Sequence, residues 1–292
     1  MLLPKFEFHE PIKLPEACEL MGELKDKGRL LAGGTDLLVN MKKKLVAPEH
    51  LVSLARIEEL KGIDASNGLF KIGACVTAAE LAESEVIRGL FGALEAGAAS
   101  LGSPLIRNMA TIGGNLVAAR PAADLPTALM AYGAEVVLKR SSGDRSVPVD
   151  DFFKGPGETL LGPDEILTRV LLRKPQPASG AAYIKLGLRK TLEISLVNVA
   201  VYIGLDSQDG SIQTARVVLG AVAPTPIRAP SAEKIILGKK PSDALFESAG
   251  NEAAKDSKPI DDFRGSAEYR TDMVKVLTHR ALSKAYHDAQ KN

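Results

Sequence analysis

The sequence has few of the residues that a metal-binding protein needs. It contains 2 cysteines and 4 histidines in 292 residues. Two thiols cannot supply the four ligands of a typical iron–sulfur cluster or structural zinc site. The histidines His9, His50, His279 and His287 are scattered along the chain without a metal-binding spacing. The sequence therefore predicts that this chain holds no metal of its own.

An excess of charge of one sign and long apolar runs are also missing. Lysine and arginine number 37 against 36 aspartate and glutamate, a net charge of +1, so no long-range field favours nucleic acid. No uninterrupted apolar run reaches the roughly 18 residues of a membrane span. The N-terminus lacks the basic and apolar regions of a signal peptide. We therefore expect a cytoplasmic protein with no nucleic-acid partner and no membrane span.

Apolar periodicity and turn residues divide the chain into three regions. Residues 1–55 alternate between helix and strand, and residues 56–175 mix strands with short helices. The stretch RKPQPASG is the best candidate for a linker between this part and the last region, 176–292. That last region has three strand-like segments, two of them joined by a DG turn, followed by helices. The pattern predicts an α+β fold.

A first glycine-rich stretch, LAGGTDLL, lies between a strand-like and a helix-like run. Gly33 and Gly34 remove two side chains where the backbone turns, and the N–H groups at such a helix start can bind an anion. Thr35 adds a hydroxyl donor. The simpler alternative is a tight turn in which Thr35 or Asp36 caps the helix. The spacing matches neither a dinucleotide fingerprint nor a P-loop.

A second stretch of the same kind, TIGGNL, begins at Thr111. It again combines a hydroxyl, a glycine pair (Gly113 and Gly114) and the amide side chain of Asn115. Two such loops could hold opposite sides of one diphosphate, whose charges need hydrogen bonds when they are buried. Backbone donors suit a protein with no spare positive charge.

Together, LAGGTDLL, the later IRNMATIGGNL and the ADL after it resemble the FAD-binding subunit of molybdenum hydroxylases. That family includes the carbon monoxide dehydrogenase medium subunit and the flavin domain of xanthine dehydrogenase, and the resemblance covers nearly the whole chain. It implies a vanillyl-alcohol oxidase-type (PCMH) FAD-binding fold in two subdomains, 1–55 and 56–175. It also implies a C-terminal flavoprotein domain of three antiparallel strands with a helix bundle, 176–292.

One stretch of the sequence resembles a particular group of enzymes within this family. AGGTDLLVNMK is most similar to the flavin subunits of 4-hydroxybenzoyl-CoA reductase-type enzymes, some of which carry a cysteine-bearing insertion for an extra [4Fe–4S] cluster. Here residues 116–123, between Asn115 and Asp124, contain no cysteine. The sequence therefore assigns no substrate.

The resemblance implies a set of cofactor contacts. The first pyrophosphate loop corresponds to Leu31, Ala32, Gly33, Gly34, Thr35 and Asp36, and the second to Thr111, Ile112, Gly113, Gly114 and Asn115. Further contacts match Leu101, Asp124, Leu167, Lys185 and Ile194, of which Leu101 and Ile194 would lie near the isoalloxazine ring. Read from residue type alone, the three apolar residues could be core, Asp124 a helix cap and Lys185 a solvated strand residue. Arg107 could pair with a carboxylate and brace the loop.

The function implied is electron transfer. The chain would hold FAD non-covalently, since neither loop contains a cysteine or histidine for a flavin linkage, and no catalytic side chain is expected. It would pass electrons between the [2Fe–2S] clusters of a small subunit and an external acceptor or donor. Molybdopterin would lie in a large subunit, within a dimer of heterotrimers. Two alternatives remain: a self-sufficient FAD oxidoreductase of the same fold, and a non-catalytic anion-binding protein with two capped glycine turns.

Overall fold

The computed structural model describes residues 2–189 and 192–292. In the first region, strands and helices alternate as β1 (Glu7–His9), α1 (Leu14–Leu24), β2 (Gly28–Leu31), α2 (Leu37–Lys42) and β3 (His50–Ser53). The three strands form a parallel sheet in the order β1-β3-β2. Helix α1 begins with a proline in its first turn and buries one apolar face. The sequence predicts all of these elements except the edge strand β1.

The second region is built on a five-stranded antiparallel sheet in the order β4-β5-β10-β6-β7. Its elements are β4 (Ile63–Ser66), β5 (Leu69–Gly73), α3 (Ala78–Glu83), α4 (Glu85–Leu90), α5 (Gly92–Ser100), α6 (Pro104–Arg107), α7 (Ile112–Val117), α8 (Asp124–Ala131), β6 (Glu135–Arg140), β7 (Gly143–Pro148), α9 (Val149–Phe152), β8 (Phe153–Gly155), β9 (Glu158–Thr159) and β10 (Ile166–Arg173). Strands β8 and β9 pair with each other in a small separate hairpin.

The central strand of this sheet, β10, is missing from the sequence-based assignment. It pairs with β5 on one side and with β6 on the other. Its segment ILTRVLLR is rich in β-branched and apolar residues, and that composition is a signal for a strand buried on both faces. Strand β10 carries Leu167 into the middle of the sheet, where it pairs with Leu138.

The third region is a four-stranded antiparallel sheet covered by helices. Its elements are β11 (Ser179–Leu186), β12 (Val197–Leu205), β13 (Ile212–Gly220), β14 (Ile227–Arg228), α10 (Pro230–Ile236), α11 (Asp243–Asp256) and α12 (Ala267–Ala289). The predicted three strands, their hairpin and the helix bundle are confirmed. The structure adds β14, a two-residue strand that follows a proline-rich turn and is too short to leave a periodic pattern.

The second and third regions share one hydrophobic core. It includes apolar residues of the five-stranded sheet together with Tyr183, Ala200 and Tyr202 of the C-terminal sheet. The ring of Tyr132 stands edge-on to Tyr202, with centroids 5.9 Å apart. Such contacts fix the C-terminal sheet against α5 and α8, the helices that flank the second glycine loop. Among the described residues, no helix combines the length and apolar character that a membrane crossing requires.

Candidate cofactor-binding cleft

The first glycine loop connects the end of β2 to the start of α2. A Cβ atom on Gly33 would overlap the backbone carbonyl of Met109, so only glycine allows the two chain segments to approach so closely. Gly34 has a φ of +72°, in the left-handed region that other residues adopt at a cost. Because Met109 lies two residues before Thr111, this contact brings the two glycine loops side by side.

The backbone N–H groups of the first loop point to an external acceptor. Within the described residues, those of Gly33, Gly34, Thr35 and Asp36 donate to no protein group. The predicted cap of α2 is wrong: Asp36 occupies the cap position, but its side chain makes no capping hydrogen bond. Its carboxylate instead accepts a bond of 3.5 Å from Arg120. The loop therefore presents several donors that a bound anion would satisfy.

The second loop is a tightly bonded helix start. The Thr111 hydroxyl accepts from the Gly114 N–H at 3.1 Å, and the Gly113 N–H donates to the Ala74 carbonyl at 2.9 Å. The N–H groups of Ile112 and Asn115 also have backbone partners. Of the five N–H groups in this loop, that of Thr111 alone has no partner among the described residues, so the loop offers fewer free donors than expected. Its glycines serve close packing, since a Cβ on Gly113 would lie 2.8 Å from the Ala74 side chain.

One buried side-chain atom of the second loop lacks a partner among the described residues. The Asn115 Oδ1 atom is buried and accepts no hydrogen bond from the described residues. An unsatisfied buried acceptor costs free energy, and such groups in native proteins usually have a ligand or water as partner. Asn115 lines the cleft described next, so a donor on a molecule bound there would satisfy it.

Both loops face one large cleft of about 890 Å³, a size within the range of cofactor sites. Most of the predicted contact residues line it: Ala32, Gly33, Gly34, Thr35, Asp36, Leu101, Thr111, Gly113, Gly114, Asn115 and Leu167. Leu101 and Leu167 are themselves 7% and 4% exposed, so they form an apolar part of the wall. The structure thus brings together segments from the first and second regions around a single volume.

The other predicted contact residues lie outside the cleft wall. Leu31 ends β2, and Ile112 is fully buried in the core below the second loop. Ile194 is 57% exposed, just after a segment whose Leu192 N–H bonds to the Gly102 carbonyl. Asp124 and Lys185 face each other behind the cleft.

Asp124 is the centre of a buried hydrogen-bond cluster. Its Oδ1 accepts from Tyr183 at 2.6 Å and from Ser195 at 3.0 Å, and its Oδ2 accepts from Lys185 at 3.0 Å. Burial raises the pKa of Asp124, and the positive charge of Lys185 opposes that shift. Asp124 is the first residue of α8 rather than its cap, and Lys185 is not a solvated residue. Tyr183 and Ser195 were not predicted, because only the fold brings them to Asp124.

The Lys185 ammonium also donates to the Ser100 carbonyl at 3.0 Å, immediately before Leu101. On the other side, Arg107 donates to the Leu101 carbonyl at 3.1 Å. The expectation that Arg107 pairs with a carboxylate is therefore wrong. Arg107 does brace this segment, through the Leu101 carbonyl. Two cationic side chains thus hold Leu101 in the cleft wall: Arg107 donates to its own carbonyl, and Lys185 donates to the carbonyl of Ser100.

Charged residues that sequence reasoning missed complete the wall. The basic ones are Arg29, Arg120 and Lys154, and the acidic ones include Asp26, Glu158 and Glu165. Glu165 is neutralised by Arg145, which donates two hydrogen bonds of 2.7 and 2.8 Å to its carboxylate. These hydrogen bonds hold the pKa of Glu165 below its usual range. Net charge gives no sign of this arrangement, because the basic side chains come from distant parts of the sequence.

Fold and cleft together define the class of protein as one with a cofactor-sized cleft in which a glycine loop offers N–H donors to an anion. Comparison with known proteins agrees with this class. Residues 4–175 match the family model described as the FAD binding domain in molybdopterin dehydrogenase. Residues 182–285 match the CO dehydrogenase flavoprotein C-terminal domain.

Individual relatives resemble the chain over nearly its full length. The carbon monoxide dehydrogenase medium chain of Hydrogenophaga pseudoflava is 34% identical and covers 98% of this chain and 99% of its own. The xanthine dehydrogenase FAD-binding subunit of Escherichia coli O157:H7 is 32% identical, covering 95% of each chain. A solved structure of carbon monoxide dehydrogenase from H. pseudoflava superposes with a TM-score of 0.94 at 35% identity, covering 99% of both chains.

Quinoline 2-oxidoreductase from Pseudomonas putida 86 superposes with a TM-score of 0.92 at 30% identity, again over 99% of both chains. The chain therefore belongs to the family of proteins built on the FAD-binding domain of molybdopterin dehydrogenases. The predicted PCMH-type fold with its C-terminal flavoprotein domain is confirmed.

Proposed function

We propose that this chain is the FAD-carrying electron-transfer subunit of a multi-subunit molybdenum-dependent dehydrogenase. The observation that carries the proposal is the cleft itself, where the free N–H donors of residues 33–36 face the second glycine loop. FAD fits this cleft chemically: its diphosphate matches the donors of the first loop, and its polar groups include donors for the orphaned Asn115 Oδ1. When bound, FAD supplies one-electron and two-electron redox chemistry.

The proposed roles of the residues follow from their positions. Leu31, Ala32, Gly33, Gly34, Thr35 and Asp36 form the diphosphate loop, in which Leu31 anchors the end of β2. In the second loop, Thr111, Gly113, Gly114 and Asn115 form the opposite wall, while Ile112 fixes that loop to the core. Leu101 and Leu167 supply apolar surface that excludes water, and Ile194 covers the end of the cofactor near Leu101.

Asp124 and Lys185 affect the cofactor indirectly, because they fix the position of the segment that carries Leu101. Lys185 bonds to Asp124 and to the Ser100 carbonyl, and so fixes the position of Leu101 from the C-terminal sheet. None of the residues in the cleft forms a nucleophile–base pair with the geometry of a catalytic dyad or triad, within the chain as the structure describes it. We therefore assign no catalytic side chain to this subunit, whose task is binding and orientation.

The partners proposed are a small subunit with [2Fe–2S] clusters and a large subunit with molybdopterin, arranged as a dimer of heterotrimers. Two relatives are named medium chains of carbon monoxide dehydrogenase, and a solved relative is a Cu,Mo-CO dehydrogenase. Exposed apolar side chains near Leu101 offer a docking surface: Leu105, Met109, Leu188, Leu192 and Ile194 are 79%, 55%, 63%, 57% and 57% exposed.

The domain limits 1–55, 56–175 and 176–292 are also proposed. They are supported by the sheets, since each of the three main sheets draws all its strands from one of these segments. A cytoplasmic location is supported by the two cysteines, Cys18 and Cys75, which are unpaired.

Acid precipitation of the purified chain tests the cofactor proposal. We expect all of the yellow chromophore in the supernatant, where chromatography identifies it as FAD, with one equivalent per chain. Flavin retained in the pellet would contradict non-covalent binding, and FMN in the supernatant would contradict the role of the diphosphate loop. A colourless chain that takes up no FAD would favour the anion-binding alternative.

The partner proposal has a separate test. We expect untagged iron–sulfur and molybdenum subunits to co-purify with the tagged chain, and Leu105→Ser combined with Met109→Ser to abolish that co-purification. Phe263→Ser, which changes a 95% exposed side chain far from Leu101 in sequence, is the control. The isolated chain should not turn over aromatic, purine or aldehyde substrates. Turnover by the metal-free chain alone would revive the self-sufficient oxidoreductase.

A further inference from the structure

Two of the four histidines meet at the edge of the N-terminal sheet. The Nε2 atom of His9 lies 3.1 Å from the Nδ1 atom of His50. The Glu7 carboxylate oxygen Oε2 lies 3.4 Å from the same His50 nitrogen. These three potential ligand atoms all fall within 4.8 Å of one another.

The strand register explains why these side chains converge. Strand β1 runs parallel to β3, and Glu7 is the direct partner of His50. His9 follows Glu7 by two residues, so both side chains of β1 lie on the same face of the sheet as His50. The intervening Phe8 points to the other face. The cluster is therefore built into regular structure rather than assembled from mobile loops.

The spacing of the three atoms matches the coordination sphere of a small metal ion. Zinc binds imidazole nitrogen and carboxylate oxygen at about 2.0–2.2 Å in a tetrahedral arrangement, which places neighbouring ligand atoms about 3.3–3.5 Å apart. The observed separations of 3.1 and 3.4 Å lie at or close to that range. We propose that Glu7, His9 and His50 form a binding site for a divalent transition-metal ion of the zinc type.

The chemistry of the ligands defines the class of ion. Two imidazoles and one carboxylate suit Zn²⁺ and its neighbours in the first transition row, whereas Mg²⁺ and Ca²⁺ require oxygen ligands. The side chain of His50 is 18% exposed and that of Glu7 is 74% exposed. The carboxylate side of the site is therefore open to solvent, which leaves a fourth position for water.

The site would join the N-terminal edge strand to the interior of its sheet. Strand β1 has three residues and lies at the edge, beside β3. A metal held by two residues of β1 and one of β3 would cross-link them, and would therefore protect the N-terminal segment against local opening. None of the three ligand residues lines the cofactor cleft, so the test of this site does not depend on the proposed electron-transfer role.

The test is a calorimetric titration of the full chain, stripped by a chelator, with Zn²⁺ and separately with Mg²⁺. The variants are His9→Gln and His50→Gln, and the control is His287→Gln, which changes an exposed histidine of α12. Retained FAD content and an unchanged far-UV circular dichroism spectrum show that each variant is folded. Amide hydrogen exchange of residues 2–12, with and without Zn²⁺, supplies a second measurement that does not depend on activity.

We expect one equivalent of Zn²⁺ per chain and no detectable Mg²⁺ binding. Loss of either histidine should weaken Zn²⁺ binding at least tenfold, since even the outer partners of metal ligands contribute 10–100-fold to affinity. His287→Gln should bind as the wild type does. Zn²⁺ should slow exchange in residues 2–12 of the wild type and of His287→Gln, but not of the His9 and His50 variants. Equal Zn²⁺ binding by all variants, or none by the wild type, would overturn the site and leave a hydrogen-bonded imidazole pair.

Discussion

The Lys185 ammonium lies 3.0 Å from the Asp124 carboxylate, although the two residues are 61 positions apart. This ion pair joins β11 of the C-terminal sheet to the first turn of α8. Only 11% and 9% of the two side chains is exposed, so each charge depends on the other for compensation. Through Lys185, which also donates to the Ser100 carbonyl, the C-terminal region contacts the segment beside the cleft.

Lys185→Met should destabilise the protein by about 3–5 kcal/mol at neutral pH, because it leaves a buried carboxylate without its cation. Burial already raises the pKa of Asp124, and loss of Lys185 raises it further. A carboxyl group whose pKa is raised in the folded state contributes stability at low pH and loses it as pH rises. The deficit of the variant should therefore shrink in acid, as measured by urea unfolding.

The double variant Asp124→Asn/Lys185→Met is the matched control for that prediction. It removes both charges and keeps a side chain of similar size at position 124, so we expect it to recover part of the lost free energy of unfolding. A double variant as unstable as Lys185→Met alone would show that packing, rather than the unpaired charge, causes the loss.

Gly34→Ala should reduce FAD affinity at least tenfold, which corresponds to about 1.4 kcal/mol. The backbone φ of +72° is strained for alanine, and the new Cβ would lie 2.9 Å from the Leu38 side chain. Relief of that crowding moves the loop whose N–H groups face the cleft. Bound FAD, measured by equilibrium dialysis, should fall accordingly.

Gly62→Ala is the control for Gly34→Ala. It distinguishes the loss of stability caused by backbone strain from the loss of FAD binding. Gly62 has a nearly identical φ of +78°, but nothing lies within 4 Å of its added Cβ, and it does not line the cleft. Both variants should lose about 1–2 kcal/mol of stability from the left-handed backbone, while only Gly34→Ala loses FAD. Equal FAD content in the two variants would argue against the diphosphate loop.

Asn115→Leu should separate cofactor binding from stability. The variant removes the buried, unpartnered Oδ1, so the chain without FAD should be as stable as wild type or more stable. If FAD donates to that atom, its affinity should fall about fivefold, the equivalent of one hydrogen bond of about 1 kcal/mol. Thermal unfolding with and without added FAD measures both effects. Unchanged FAD affinity would mean that another group satisfies Asn115.

Glu165→Gln should weaken the dependence of the unfolding free energy on pH in the acid range. The hydrogen bonds from Arg145 hold the pKa of Glu165 below its ordinary value of 4.5. A carboxyl group with a lowered folded-state pKa contributes stability above that ordinary value, and the contribution is lost as pH falls below it. The difference in unfolding free energy between wild type and variant should therefore be largest near neutral pH. The control variant is Glu59→Gln, because Glu59 is exposed and makes no ion pair or side-chain hydrogen bond with the described residues. This control should show no such trend.

The local sequence determined the glycine loops, the long helices and the C-terminal hairpin. Glycine pairs beside a hydroxyl residue, apolar stripes at helical spacing and a DG turn are short-range signals, and each acts within a few residues of chain. For the same reason, the family could be identified from Leu31–Asp36 together with Thr111–Asn115. The composition of β10 is that of a buried strand, and the sequence analysis missed it. Its central place between β5 and β6 depends on long-range pairing, which the local sequence does not specify.

The tertiary structure decided everything that depends on distant partners. It showed that most N–H groups of the second loop donate to other residues such as Ala74, whereas those of residues 33–36 have no partner in the part of the chain that the structure describes. It surrounded Asp124 with three side chains from β11 and the segment after it. It also brought His9 to His50, 41 positions away, where the sequence showed only scattered histidines. Hydrogen bonds and ligand clusters act over about 3 Å in space, and spacing along the chain does not specify such distances until the sheets and helices pack.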